Sequence, residues 1–96
     1  MTAPQLLITS ATIVDGTGAP GRSGTVAVED GRIRILQADE ELPYAERTID
    51  ARGKVVSPGF IDLHSHSALM ILADPHHGPK VRQGVTTEVV GVDGLS

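Results

Sequence analysis

The sequence predicts an α/β chain whose first half is almost all strand and whose second half holds a strand–helix–strand unit. Three observations carry this. Eleven Gly and six Pro among 96 residues exceed a combined average of roughly 12%, which favours short strands joined by tight turns. An Asp-Gly pair lies between two runs of alternating aliphatic residues, the strongest short-range sign of a hairpin. The Pro58-Gly59 break then separates this half from a stretch in which β-branched runs flank short helix-compatible segments. Only Tyr44 and Phe60 are aromatic, so the core is expected from Val, Ile and Leu.

Taken in order, Gln5 to Thr9 and Thr12 to Val14 read as short strands, followed by a loop from Asp15 to Gly21. The loop is no phosphate cradle, because no Lys-Ser/Thr pair follows its glycines. Thr25–Glu29 and Arg32–Leu36 flank Asp30-Gly31, the pair that best supplies positive φ for a two-residue type I′ turn. That turn sets Glu29 opposite Arg32, Val28 opposite Ile33 and Val26 opposite Ile35, and it predicts Ala27 and Arg34 facing outward together. Gln37 to Ala45 is a polar connection. Arg47–Asp50 and Lys54–Val56 are two further strands around the turn at residues 50–53. Beyond Pro58-Gly59, Phe60 to His66 reads as a strand, Ala68 to Ala73 as an apolar run of about one helical turn, and Pro79 to Gln83 as a brief helix stopped by Gly84. Val85 to Gly91 supplies the next strand, and the order strand, helix, strand favours a parallel βαβ unit.

Composition excludes several classes. The net charge of −4 is ordinary for a globular domain and leaves no basic patch for a nucleic-acid partner. The absence of cysteine excludes a disulfide framework and a thiolate metal cage. Leu6-Leu7-Ile8 is soon broken by Thr9 and Ser10 with no basic region before it, so neither a signal peptide nor a span of about 20 apolar residues is expected. A cytoplasmic location without membrane contact is the expectation.

His64 and His66 stand two apart on the predicted strand, so their imidazoles share a face. Paired neutral imidazoles suit a divalent metal such as zinc, which needs three or four ligands. With four histidines in the chain, a chance pair is the alternative. Asp62 shares that face and is placed to hydrogen-bond a ligand histidine or steady the strand end. Asp93 follows the next strand, and in a parallel sheet it would meet the two histidines at the C-terminal edge, where α/β barrels keep their active sites. It reads equally as an oxygen ligand or as the start of an Asp-Gly turn. His76 and His77, in a turn-rich loop, read as solvated, and Lys80 and Arg82 as the exposed face of a short helix.

The block Pro58-Gly59-Phe60-Ile61-Asp62-Leu63-His64-Ser65-His66 resembles the amidohydrolase superfamily of metal-dependent hydrolases. Three further stretches, Leu7 to Gly18, Ile49 to Gly53 and Lys80 to Thr87, resemble its N-acyl-D-amino-acid deacylase (D-aminoacylase) group. The resemblance implies a small composite β-sandwich, to which residues 1–57 contribute the N-terminal share, and a TIM-like (β/α) barrel whose first strand, helix and second strand come from residues 58–96. It implies that His64 and His66 bind metal from the end of the first barrel strand, with Asp93 where these deacylases commonly place a cysteine ligand in a Gly-Asn-Cys-Gly stretch. The cofactor implied is one or two divalent ions, Zn2+ first. The implied substrate is a small-molecule N-acyl amino acid, and the reaction is amide hydrolysis by a metal-activated water. Two more histidine ligands and a catalytic aspartate would lie on later barrel strands. Because a complete barrel takes about 250 residues, the chain is expected to be the N-terminal portion of a longer enzyme, inactive by itself. A cyclic-amide hydrolase of the hydantoinase or dihydroorotase kind and a non-catalytic β-rich module are the competing readings.

Overall fold

The computed structural model describes residues 3–93, which fall into two compact units divided after Pro58. Each half of the sequence builds its own sheet.

The first unit is a five-stranded sheet. Strand β1 (Leu6–Ile13) runs through its middle, antiparallel to β2 (Arg22–Glu29), which pairs in turn with β3 (Arg32–Gln37). On its other side β1 carries two short parallel strands in succession, β4 (Arg47–Asp50) and β5 (Val55–Val56). The two runs read separately at the N-terminus are thus one strand. What divides them is a bulge: Ile8 faces Val26 but Ala11 faces Gly24, and Ser10 takes a left-handed φ of 59°. One extra residue reverses the alternation. Ile8 therefore shares a face with Ala11 and Ile13 rather than with Ser10 and Thr12, and these pack with Val26, Ile35, Ala51 and Val56. The edge strand accommodates the bulge by breaking at the same level, where the Thr9 carbonyl accepts the Ala51 amide and the Lys54 carbonyl accepts the Thr12 amide.

The Asp-Gly hairpin forms in the expected register, with Glu29 opposite Arg32, Val28 opposite Ile33 and Val26 opposite Ile35. Asp30 and Gly31 both have positive φ, 50° and 74°, as a type I′ turn requires. One expectation fails. Ala27 does not face solvent but is fully buried, packed with Leu7 and Leu36 on the second face of the sheet. The sheet has apolar clusters on both faces, and a two-stranded reading of the hairpin supplies only one of them.

The β1–β2 loop is closed by Asp15. Its Oδ1 accepts the Thr17 amide (3.0 Å) and hydroxyl (2.6 Å), and its Oδ2 meets Arg22 Nη1 at 2.9 Å.

The second unit contains β6 (Phe60–Asp62), the single-turn helices α1 (Met70–Ala73) and α2 (Gly78–Val81), and β7 (Val85–Glu88). Strands β6 and β7 pair in parallel, as the strand–helix–strand order requires. Both end earlier than the β-branched runs suggest: β6 stops at Asp62 and β7 at Glu88. Pro79 lies in the first turn of α2 and Gly84, at φ 87°, ends the segment. Gly59 is required by close packing, because a Cβ there would lie 2.7 Å from Thr86 Cβ. Among the described residues no helix is long and apolar enough to cross a membrane.

The Asp15 knot gives a pH test. The Thr17 hydroxyl and then Arg22 hold the Asp15 carboxyl well below its ordinary range. A carboxylate with a depressed folded pKa stabilises the fold fully above its unfolded value, about 3.9, and loses that contribution as pH falls through the folded value. Carboxyl-carbon NMR is expected to give Asp15 a midpoint well below 3.9, with Thr17 amide protection lost only as that group protonates. A midpoint at or above the ordinary value contradicts this.

Candidate metal centre

The two strand ends of the second unit are locked by main-chain bonds. The Val89 amide donates to the Asp62 carbonyl (2.8 Å), and the Ser65 amide donates to the Val89 carbonyl (3.1 Å). The chain past β6 therefore stays beside the chain past β7. His64 lies on a bend after β6 and His66 two residues further along, neither on the strand itself; at the bend the Asp62 carboxylate accepts the His64 amide at 3.1 Å. Asp93 likewise lies on a bend after β7. Its neighbour Gly94, the second half of the expected Asp-Gly turn, lies outside the described residues.

From these segments three side chains converge. Asp93 Oδ2 is 3.2 Å from His64 Nε2, and Asp93 Oδ1 is 3.2 Å from His66 Nε2. One donor atom from each of the three lies within 4.8 Å of the others. The imidazole centroids are 5.3 Å apart. Bonds of 2.0–2.2 Å to a tetrahedral zinc separate neighbouring donors by about 3.4 Å, so the spacing to Asp93 fits a shared ion. The donor chemistry fits too: two imidazoles and a carboxylate suit zinc. All three side chains are about half exposed, at 56%, 55% and 53%.

The same unit holds a second polar group that the sequence only partly announces. Glu88, the last residue of β7, accepts hydrogen bonds from Ser67 Oγ and from His77 Nε2 (3.0 Å), with Lys80 Nζ 3.6 Å from its Oε1. Lys80 also pairs with Asp62 Oδ2 at 2.5 Å. Ser67 lowers the pKa of Glu88 most, followed by His77, against the opposing effect of burial. Lys80 and then the His64 amide lower that of Asp62, and Asp62 raises that of Lys80. Two expectations are corrected. His77 is not a solvated loop residue: its side chain is 16% exposed and held on Glu88. Lys80 is not simply an exposed helix residue but bridges two carboxylates. His76 is exposed. Asp62 steadies the strand end, one of its two expected roles, by bonding backbone rather than imidazole. Glu88 was the residue missed; its only sequence signal is a charge at the end of the β-branched run Val85 to Thr87.

This geometry coincides with a family match. Residues 47–95, half of the chain and all three converging side chains, match the amidohydrolase family. The chain belongs to that family. This amidohydrolase chain is 47% identical over 90 residues to an N-acyl-D-aspartate deacylase of Alcaligenes xylosoxydans xylosoxydans, covering 94% of the chain and 18% of the relative. Among solved structures it resembles an N-acyl-D-glutamate deacylase from Bordetella bronchiseptica, complexed with zinc and a phosphonate mimic of the tetrahedral intermediate. The TM-score is 0.88 and the identity 44%, covering 99% of this chain and 20% of that one. It also resembles D-aminoacylase, a protein with a binuclear metal centre, at TM-score 0.82 and 43% identity, covering 92% of this chain and 18% of that one. The chain thus spans about a fifth of the length of these relatives.

The Lys80 bridge is testable by a double-mutant cycle. Lys80→Met is expected to lower the melting temperature by leaving two carboxylates without their shared cation. Adding Glu88→Gln should return part of the loss, since coupled groups are not additive. Strictly additive losses contradict the bridge.

Proposed function

We propose that this chain is part of a metal-dependent hydrolase that cleaves the amide bond of N-acyl-D-amino acids. His64, His66 and Asp93 hold a divalent cation, zinc by preference, in a centre of one or two ions. The observation that carries the reading is the convergence of two imidazoles and one carboxylate at the shared end of two parallel strands. It is supported by relatives of 40–47% identity that are deacylases of N-acyl-D-aspartate and N-acyl-D-glutamate.

In this reading, residues 1–57 form the N-terminal share of a small β-sandwich, and residues 58–96 supply the first strand, helix and second strand of a (β/α) barrel. An open aliphatic groove of about 320 Å³ on the first sheet, lined by Ile8, Ile13, Val26, Val28, Ile33 and Ile35 among others, is consistent with a second layer covering it. The strand-end position of the ligands is the one that barrel enzymes use for chemistry.

Held by His64, His66 and Asp93, a zinc ion would provide an acidified water and Lewis-acid activation of the amide carbonyl. The chain's own residues orient that chemistry. His64 and His66 offer Nε2 donors from the segment that follows β6. Asp93 contributes the negative charge that offsets the cation, with one oxygen toward each imidazole. A carboxylate is a harder ligand than a thiolate, which shifts metal preference away from the softest ions. The general base is assigned to a residue outside these 96.

Asp93 is the residue to test. Asp93→Asn keeps size and one acceptor oxygen but removes the charge. In the complete enzyme it is expected to lose bound metal and most turnover of N-acetyl-D-amino acids, with melting temperature nearly unchanged once metal is restored. Asp93→Cys should retain metal and favour zinc. Full metal content and normal turnover in Asp93→Asn contradict the ligand assignment and leave the turn reading.

A further inference from the structure

We propose that Glu88 is a positioning residue for the metal centre, tying the segment that carries His64 and His66 to the strand that leads to Asp93. The inference rests on the metal reading above and concerns what fixes the spacing of the three ligands.

Glu88 ends β7, on the same segment as Asp93. From the other strand, Ser67 donates to its carboxylate. Ser67 directly follows His66, and its Oγ lies 2.8 Å from Oγ of Ser65, the buried residue between the two histidines. On the preceding side, Lys80 spans from Glu88 to Asp62, and Asp62 holds the His64 amide. The histidine segment is therefore gripped before His64 and after His66 by groups that converge on one carboxylate. His77, at a left-handed φ of 50° and ψ of 44°, completes the set from the loop ahead of α2.

The surroundings show that this carboxylate is built in. Its side chain is only 13% exposed, where an ionised group is costly unless paired. Both hydrogen-bond donors meet Oε2, and the buried Oε1, which accepts no hydrogen bond, faces the Lys80 ammonium at 3.6 Å. Partners that orient ligand side chains also govern how well a site holds its ion. A purely structural tie would affect melting but not the affinity of the folded protein for metal. A positioning role affects both the affinity and the coordination geometry.

The test measures zinc affinity of the purified protein by competition with a chromophoric chelator, alongside the absorption spectrum of the cobalt-substituted form. Glu88→Gln preserves shape and one acceptor oxygen, Ser67→Ala removes a single donor, and Arg82→Ala, at the exposed end of α2, is the control. Both network variants are expected to weaken zinc binding about tenfold or more, as losses of such supporting groups do, and to alter the cobalt bands, while the control does neither. Affinity and cobalt spectrum unchanged in both variants, even with a lowered melting temperature, overturn the proposal. Should Glu88→Gln fail to fold, Ser67→Ala decides by the same criterion. An unsubstituted protein that takes up no stoichiometric zinc overturns the metal reading itself, and this inference with it.

Discussion

The candidate centre depends on a pair of main-chain hydrogen bonds at Val89. Its amide reaches the Asp62 carbonyl, and its carbonyl accepts the Ser65 amide. Together they hold the chain beyond β6 against the chain beyond β7 after the ladder proper has ended. Without that continuation, only side-chain ties, those through Glu88 among them, would join the segment that carries His64 and His66 to the one that carries Asp93. Parallel pairing is what makes this possible: both strands present their C-terminal ends at one edge, so residues far apart in sequence arrive side by side.

Around this scaffold the side chains divide the work. Asp62 accepts the His64 amide, Lys80 joins Asp62 to Glu88, and Ser67 returns the histidine segment to Glu88. The cost of confining charge is offset locally, each carboxylate facing a cation or a donor rather than open water. In the first unit the equivalent constraint is steric. The bulge at Ser10 keeps Ile8, Ala11 and Ile13 on one face of β1, and the edge formed by β4 and β5 breaks where the bulge requires it.

Legibility in the sequence followed the range of the interaction. The Asp30-Gly31 hairpin could be read to the residue, because turn chemistry and alternation act within a dozen positions. The convergence of His64, His66 and Asp93 was legible from the parallel topology, which brings both strand ends to one edge, although the strand alternation expected for the histidines stops at Asp62. The bulge in β1 was not, since Ser10 carries no glycine signal for its positive φ and the register is set by β2 across the sheet. Burial of Ala27 depended on Leu7 and Leu36, contributed by strands on either side of it. Glu88, His77 and Lys80 were missed as a group for the same reason. Each looks like a surface charge alone, and only folding of the β6–β7 crossover brings them to one place.

The central claim is that His64, His66 and Asp93 share a metal ion. The most direct measurement is diffraction from crystals of the zinc-loaded protein at the zinc absorption edge. The account predicts an anomalous peak within about 2.0–2.2 Å of both Nε2 atoms and of an Asp93 carboxylate oxygen. A peak bound by other residues, or none while Asp93 stays 3.2 Å from each imidazole, would contradict it.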